Sequence, residues 1–274
     1  MSKLLLMQGL SGDFESEFHT GMRVDAAMSA AMRVLAPAGF TSLIYDYTPV
    51  PVSHDGELIT PSLMALANVP SDMQDLWCKG GYYQLDPVQE AALAVSRPFL
   101  WSHRGAQSPV MRRILQRKHD PVISYLLDTK MTCGVTVPIR FDGGDLATFT
   151  AIRLDPEPDF EVEAQMMLPG IGDLGHLFHD SVYAGFDQRT RTSQYFHLTS
   201  RERQCLSMAA CGLTAKQIAH EICRSVPTAT LHLNAASRKL GARNRFHAIA
   251  LAAHYRLLGP ISQGQNLSRQ HRQN

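Results

Sequence analysis

The last quarter of the chain carries the clearest periodic pattern of apolar and polar positions. Between residues 198 and 258, apolar residues recur at helical spacing between start and stop signals, which predicts four short helices. Thr199 with Glu202, and Thr214 with Gln217, have the spacing of capping boxes, so helices should begin at both places. The third helix should bury one stripe of residues spaced three or four apart: Ala229, Leu233, Ala236 and Leu240.

The outer face of this third helix is small and mostly polar. It comprises Pro227, Thr230, Leu231, Asn234 and Arg238. Gly241 ends the helix and Asn244 caps a fourth one. We expect the inner face of the fourth helix to comprise Phe246, Ile249, Ala250, Ala253 and Leu257. A short helix, a turn and a capped helix with a polar outer face are typical of a helix-turn-helix module, although a plain four-helix bundle has the same periodicity.

Upstream of residue 184 the pattern changes between strand and helix periods. Residues 41–50 alternate as a strand, with Tyr45 and Tyr47 on one face and Ile44 and Asp46 on the other. Two further alternating runs flank a Gly-Gly turn and predict a β-hairpin over 134–154. Helices are predicted over 13–37, over 70–77, after Asp86-Pro87, over 107–131 with a break at Asp120-Pro121, and over 160–183, while 62–68 is a short helix at best. Helices on both sides of a mainly antiparallel sheet make an α+β fold, an α/β/α sandwich.

These patterns divide the chain into two domains. We predict a sensor-like domain over 10–183, a polar linker over 184–197 and an all-α helix-turn-helix domain over 198–258. The tail, 259–274, is rich in Gln and Asn and poor in apolar residues, so we expect it to be disordered.

Charge is distributed unevenly between the two domains. Residues 197–274 hold 11 Lys and Arg against 2 Asp and Glu, whereas the rest of the chain holds 15 against 23. A balance of +9 beside one of −8 suggests a basic nucleic-acid-binding module attached to an acidic body.

Several classes of protein are disfavoured by composition. The chain has no apolar run of membrane-spanning length and no signal peptide, and its five cysteines form no C-x-x-C pair, so we expect a cytoplasmic protein with reduced thiols and no membrane contact. The twelve histidines lack ligand spacing, so we expect no metal and no cofactor. No nucleophile–base pair supports an enzyme, although Asp86 or Asp46 would be its candidates.

The C-terminal domain carries a longer motif, L-T-x-R-E-x-x-x-L…G-x-T-x-x-x-I-A…S-x-x-T-x-x-x-H-L…K-L-x-A-x-N-R, between Leu198 and Arg245. This run resembles the DNA-binding domain of LuxR-type transcription regulators. The resemblance implies that the third helix enters the major groove. Base contacts would come from Thr230, Leu231 and Asn234, with Thr228 beside them, where Leu231 meets a thymine methyl and Asn234 pairs with adenine. Phosphate contacts would come from Lys216, Arg238, Lys239, Arg243 and Arg245.

The N-terminal domain carries a second motif, V-P-x6-W-x4-Y-x3-D-P-V…R-P-x-x-W…G-V-T-V-P…G-G, with departures. It resembles the autoinducer-binding domain of the same regulators, which binds acyl-homoserine lactones. In that family a Trp and a Tyr hold the carbonyls of the lactone and acyl groups, and an Asp takes the amide N–H. Here the Asp is Asp86, the later Trp is Trp101, and Thr150 stands where a Ser or Thr often contacts the acyl amide. The family's Trp and Tyr lie four residues apart before the Asp-Pro. At these two positions this chain has Met73 and Trp77.

These two replacements change what the pocket accepts. Met73 has no hydrogen-bond donor, so a buried lactone carbonyl beside it would lose ~1–3 kcal/mol. The pair resembles the unpaired LuxR-type regulators of plant-associated bacteria, which respond to plant-derived small molecules. The implied ligand offers an amide or amine to Asp86 and lacks the lactone ring. Met73 and Trp77, one turn apart, would also fit a plain core face.

The remaining candidate pocket residues are one acid and a set of apolar walls. Asp46 is either a second polar group of the pocket or a surface residue. The expected walls are Ile44, Val88, Leu126, Met131 and Phe149.

Taken together, the sequence predicts a ligand-responsive transcription regulator. It should bind an inverted-repeat operator in double-stranded DNA as a homodimer, take a small-molecule effector, and contact RNA polymerase. Two alternatives remain: a quorum-sensing regulator that binds acyl-homoserine lactones, and a dimeric DNA-binding regulator that needs no ligand.

Overall fold

The structure, a computed structural model, describes residues 14–104, 108–141, 143–154 and 160–259. The chain divides into two compact units between Arg191 and Thr192. This division falls inside the polar stretch 184–197. The predicted disordered tail from 260 onward, and residues 10–13 of the predicted sensor domain, lie outside the described residues.

The first unit is built on one antiparallel sheet. Its described strands are β1 (Ser42–Thr48), β2 (Leu63–Ala67), β3 (Phe99–Ser102), β4 (Cys133–Arg140) and β5 (Leu146–Arg153). They lie in the order β2-β1-β5-β4-β3, and every neighbouring pair is antiparallel. β4 and β5 form the predicted hairpin.

Helices cover both faces of this sheet, which confirms the predicted α/β/α sandwich. They are α1 (Val24–Leu35), α2 (Met73–Cys78), α3 (Pro87–Ala94), α4 (Pro109–Ile114), α5 (Asp120–Asp128) and α6 (Phe160–Tyr183). α1 and α6 pack on one face, whereas α2, α3, α4 and α5 pack on the other. The two layers of buried apolar residues are therefore separated by the sheet.

The alternation of β1 decides which residues meet which layer. Tyr45 and Tyr47 are buried against the α1–α6 layer, and Ile44 belongs to the opposite layer, as the strand pattern predicts. Phe149 of β5 pairs with Tyr45 and shares its face. The residues of β5 on either side of Phe149 therefore face the α2–α5 layer.

Three predicted elements of the first unit differ in the structure. Residues 62–68, expected as a short helix at best, form the edge strand β2, because pairing with β1 supplies hydrogen bonds that outweigh the helical preference of Leu, Met and Ala. The helix expected over 13–37 is a 3₁₀ turn at Phe14–Glu17 followed by α1. The break expected at Asp120-Pro121 falls before Asp120, because proline is accommodated in the first turn of α5.

The second unit contains the four predicted helices in its described residues: α7 (Ser200–Ala210), α8 (Ala215–Glu221), α9 (Val226–Lys239) and α10 (Arg245–His254). Both capping boxes are formed, at Thr199 with Glu202 and at Thr214 with Gln217. Ser225 caps α9, and Asn244 caps α10 by accepting a hydrogen bond from the backbone N–H of His247 at 2.9 Å. The helix starts therefore follow from local sequence signals.

The orientation of α10 differs from the prediction. Phe246 is 83% exposed, whereas we expected it on the inner face. Ala250 and Ala253 are also exposed. The buried residues of the helix are Ala248, Leu251 and Ala252, and Tyr255 is buried just after it. Of the predicted inner face, Leu257 is buried and Ile249 is half-buried. α10 is apolar around most of its circumference, so two helical stripes fit its sequence and only packing selects one.

Candidate functional site

A small internal cavity lies between the sheet and the α2–α5 layer. Its volume is about 20 Å³. It is lined by Ile44, Met64, Met73, Trp77, Asp86, Val88, Gln89, Trp101, Leu126, Thr150 and Ile152. A cavity of this size holds about one water molecule, whereas pockets for small organic ligands span roughly 300–1,000 Å³. In this conformation the inner layer is closed.

Two larger grooves lie on the surface of the first unit. One, of about 950 Å³, runs between α1 and β2, and the other, of about 610 Å³, runs beside β3 and α6. Their acidic residues, Asp25 and Glu161, are exposed. The internal cavity is the better candidate site because a buried acid lines it.

That acid, Asp86, is bonded on both oxygens. As the N-cap of α3 it accepts the backbone N–H of Val88 at 2.8 Å, and its other oxygen accepts the indole N–H of Trp77 at 2.8 Å. Asp86 is 7% exposed. Burial raises its pKa above the ordinary value, and the donated N–H groups oppose that rise. Trp77 and Val88 therefore supply the partners that a buried carboxylate needs.

The second tryptophan is held by a chain of hydroxyl groups. Trp101 donates its indole N–H to Thr136 at 2.9 Å, and Thr136 is hydrogen-bonded to Thr150 at 3.0 Å. The indole lies over Gly134, where an added Cβ would come within 2.7 Å of the ring. Glycine is needed there so that the ring can approach the backbone.

A second acid, Asp46, is buried next to the cavity but does not line it. It is 0% exposed, which excludes the surface alternative. It accepts hydrogen bonds from Tyr83 at 2.9 Å, from Gln89 at 3.0 Å and from the hydroxyl of Thr148. Burial raises the pKa of Asp46 to about 6, against the opposing effect of these three donors. Gln89 connects this network to the cavity wall.

Eight of the eleven predicted pocket residues line the cavity. Asp46 stands behind it, and Met131 belongs to the same buried layer without lining it. The prediction for Phe149 is wrong: it lies on the opposite face of the sheet, where its ring is 5.3 Å from that of Phe178. Strand alternation sends Phe149 away from its neighbour Thr150.

Sequence reasoning missed three lining residues, Met64, Gln89 and Ile152. Ile152 follows Thr150 by two residues, so the strand period alone would have placed it on the same face. Gln89 follows Asp86 by three residues, which puts both on one side of α3. Met64 carried no such signal, because the strand that presents it was not predicted.

In the second unit, α9 presents the predicted polar face to solvent. Pro227, Thr230, Leu231, Asn234 and Arg238 are all exposed, and Leu231 is 61% exposed. Thr228 is half-buried and bonded to Ser225 at 2.9 Å. An exposed leucine beside polar side chains on one helix face is suited to contact with base edges in a groove.

The five predicted phosphate contacts have different surroundings. Lys216, Arg238 and Arg243 are exposed. Lys239 is also exposed, but it forms an ion pair with Glu202 at 2.7 Å, and the half-buried Arg245 donates to the carbonyl of Leu213 at 2.7 Å. These last two cations therefore hold the second unit together.

Comparison with known proteins matches both units to described families. A model described as the autoinducer binding domain matches residues 23–182, and one described as bacterial regulatory proteins, luxR family, matches residues 197–252. The chain belongs to the LuxR family of transcription regulators. This confirms the family that the two sequence motifs resemble.

Relatives within the LuxR family cover nearly the whole chain. The transcriptional activator protein BjaR1 of Bradyrhizobium diazoefficiens is 27% identical, over 90% of this chain and 96% of its own length. The quorum sensing-dependent transcriptional regulator RpaR of Rhodopseudomonas palustris is 27% identical, over 84% and 88%. The crystal structure of Escherichia coli SdiA covers 94% of this chain and 96% of its own length, at 16% identity and a TM-score of 0.49.

Membership of the LuxR family fixes the general function of each unit. The first is an autoinducer-binding domain and the second a DNA-binding helix-turn-helix domain, in a family of transcription regulators rather than enzymes. Among the described residues, no helix is long and apolar enough to cross a membrane. The same residues contain no group of three or more His, Cys, Asp or Glu placed to hold a metal ion.

Proposed function

We propose that this LuxR-family regulator responds to a small, plant-derived organic molecule that carries an amide or amine and lacks a lactone ring. The effector binds between the sheet and the α2–α5 layer, where Asp86 takes its N–H. The protein acts as a homodimer on an inverted-repeat operator and contacts RNA polymerase.

The observation that carries this proposal is the shortage of donors for a lactone carbonyl. Met73 is fully buried in the cavity wall and has no donor. The N–H of Trp77 points to Asp86, and the N–H of Trp101 points to Thr136. A lactone carbonyl in this cavity would have to break one of these bonds or remain unpaired, at about 1–3 kcal/mol.

Operator binding is assigned to the exposed face of α9 and its neighbouring cations. Asn234 and Leu231 would contact base edges, with Thr230 beside them and Thr228 at the helix start. Lys216, Arg238 and Arg243 would contact phosphates, because their side chains are exposed. Lys239 and Arg245 would add to the positive field, although each already has a partner within the unit.

Two other functions are each favoured by a specific observation. Sensing of acyl-homoserine lactones is favoured by the retained Asp86 and by RpaR, whose name describes it as quorum sensing-dependent. A regulator that needs no ligand is favoured by the closed cavity of about 20 Å³. Either would share the fold and the DNA-binding unit.

Thermal unfolding separates the three functions. Both tryptophans of the chain, Trp77 and Trp101, lie in the first unit, so their fluorescence reports that unit alone. An effector at a hundredfold excess over its Kd should stabilise the unit by ~2.7 kcal/mol. We expect this with an extract of plant tissue and not with a series of acyl-homoserine lactones.

Variants and outcomes make the test specific. Asp86→Asn keeps a side-chain acceptor at the N-cap but removes the charge, so it should abolish the response to the extract, whereas Phe149→Leu alters the opposite face of the sheet and should retain it. The double variant Met73→Trp with Trp77→Tyr should gain lactone binding. If lactones stabilise the wild type, the protein senses lactones and the proposal is wrong. If neither lactones nor the plant extract stabilise it, the regulator that needs no ligand is supported.

A further inference from the structure

The polar groups around the cavity are paired with one another. Trp77 is bonded to Asp86, Trp101 and Thr150 to Thr136, and Gln89 to Asp46 and Thr148. A buried carboxylate with both oxygens hydrogen-bonded and a closed packing layer has no remaining polar requirement that only an effector could meet.

Trp77 contributes to this closure in two ways. Its single polar hydrogen is used by Asp86, and its ring packs against Tyr82 and Tyr125, with centroid separations of 5.4 and 5.5 Å. Tyr125 is held in turn by a 2.7 Å hydrogen bond to Asp72. Trp77 is 2% exposed, while both tyrosines are partly exposed, so the indole forms the wall between the cavity and the half-buried tyrosines.

We infer that Trp77 is an internal stand-in for the effector. Its N–H occupies the oxygen of Asp86 that an effector's donor would need, and its ring fills the space beside that oxygen. This inference rests on the proposed function, in that the effector binds in this cavity. Because the cavity beside Asp86 is only about 20 Å³, an effector reaches this oxygen by displacing the indole, and it must bring an N–H or O–H donor of its own.

Two consequences follow from the hydrogen bond between Trp77 and Asp86. The folding of the first unit does not require an effector to satisfy its buried acid, because Trp77 and Val88 already do so. The apparent affinity for the effector equals the intrinsic affinity multiplied by the fraction of molecules in which Trp77 has left Asp86, so a small fraction lowers it. A hydrogen bond to a charged acceptor changes such an equilibrium roughly ten- to a hundredfold, so removing the N–H should tighten effector binding by about that factor.

The stand-in can be tested without knowing the effector. Trp77→Ala removes the indole and leaves space for a free one. Isothermal titration calorimetry then compares indole, which has the ring and the N–H, with benzothiophene, which has a similar shape and no N–H. We expect Trp77→Ala to bind indole roughly tenfold more tightly than benzothiophene. The added substitution Asp86→Asn should reduce this preference, since the acceptor loses its charge.

Two controls use the same chain. Wild-type protein should bind neither compound, because its cavity is about 20 Å³. Trp101→Ala should show a weaker preference for indole that does not depend on Asp86, since Trp101 donates to the neutral hydroxyl of Thr136. Equal affinity of Trp77→Ala for indole and benzothiophene would overturn the inference.

A second measurement covers the case in which Trp77→Ala does not fold. The chain has two tryptophans, so its ¹H–¹⁵N spectrum has two indole signals, and Trp77→Phe assigns them. The Trp77 signal should exchange slowly with solvent and move in Asp86→Asn. If the Trp77 signal exchanges quickly with solvent and keeps its chemical shift in Asp86→Asn, Trp77 does not donate to Asp86 and the inference is refuted. Neither measurement uses an effector, so failure of the proposed function alone would leave these results unchanged.

Discussion

Asp46→Asn removes a carboxyl group that the first unit buries completely. In the wild type, burial raises the pKa of Asp46 to about 6, despite hydrogen bonds from Thr148, Tyr83 and Gln89. An asparagine keeps one acceptor for Tyr83 and cannot ionise. We therefore expect the variant to lose a pH dependence of stability that the wild type has.

The sign and size of that dependence follow from the pKa. A folded-state value above the unfolded one means that the folded protein binds the proton more tightly. The contribution of Asp46 is therefore most favourable below about pH 4 and is lost as pH rises towards about 6. A rise from 3.8 to about 6 corresponds to about 3 kcal/mol lost at pH 7 relative to low pH.

The assay is urea unfolding followed by tryptophan fluorescence between pH 4.5 and 8. The quantity of interest is the unfolding free energy of Asp46→Asn minus that of the wild type, in which contributions common to both proteins cancel. It should increase by about 2 kcal/mol across the range, because at pH 4.5, above the ordinary value of 3.8, part of the full effect is already lost. Asp173→Asn, on the exposed side of α6, controls for the change in net charge. A difference that stays constant, or that decreases with pH, would contradict the reasoning.

Three further predictions concern Lys239, Arg238 and Phe149. Lys239→Ala should lower the unfolding free energy of the second unit by about 1–3 kcal/mol in calorimetry, because Glu202 is buried and loses its ion pair. Its exposed neighbour Arg238 should behave oppositely, so that Arg238→Ala weakens operator binding in fluorescence anisotropy and leaves stability within about 0.5 kcal/mol. Phe149→Ala should lower the unfolding free energy of the first unit by about 3–5 kcal/mol. If the folded variant also binds effector more weakly than the wild type, that would contradict the position of Phe149 outside the cavity.

The helix starts of the second unit could be predicted because their causes are local. A capping box needs only two residues three apart, and both Thr199 with Glu202 and Thr214 with Gln217 form one. The orientation of α10 could not be predicted in this way. Phe246 belongs to one of two apolar stripes on that helix, and the stripe that packs inward depends on the surfaces of the other helices.

The same distinction holds in the first unit. Alternation along β1 separated Ile44 and Asp46 from Tyr45 and Tyr47 without any tertiary information. β2 was missed, because an edge strand takes its hydrogen bonds from a neighbour that is remote in sequence rather than from its own residues.

The sequence by itself determined the two-domain organisation, the family and eight residues of the cavity wall, because these depend on short motifs and regular periods. Only the tertiary structure decided that Trp77 bonds Asp86, that Lys239 is paired with Glu202, and that the cavity is closed. Whether a buried polar group is satisfied depends on distances of a few tenths of an ångström between side chains from different elements. No spacing along the chain specifies those distances, because they result from packing the two layers against the sheet.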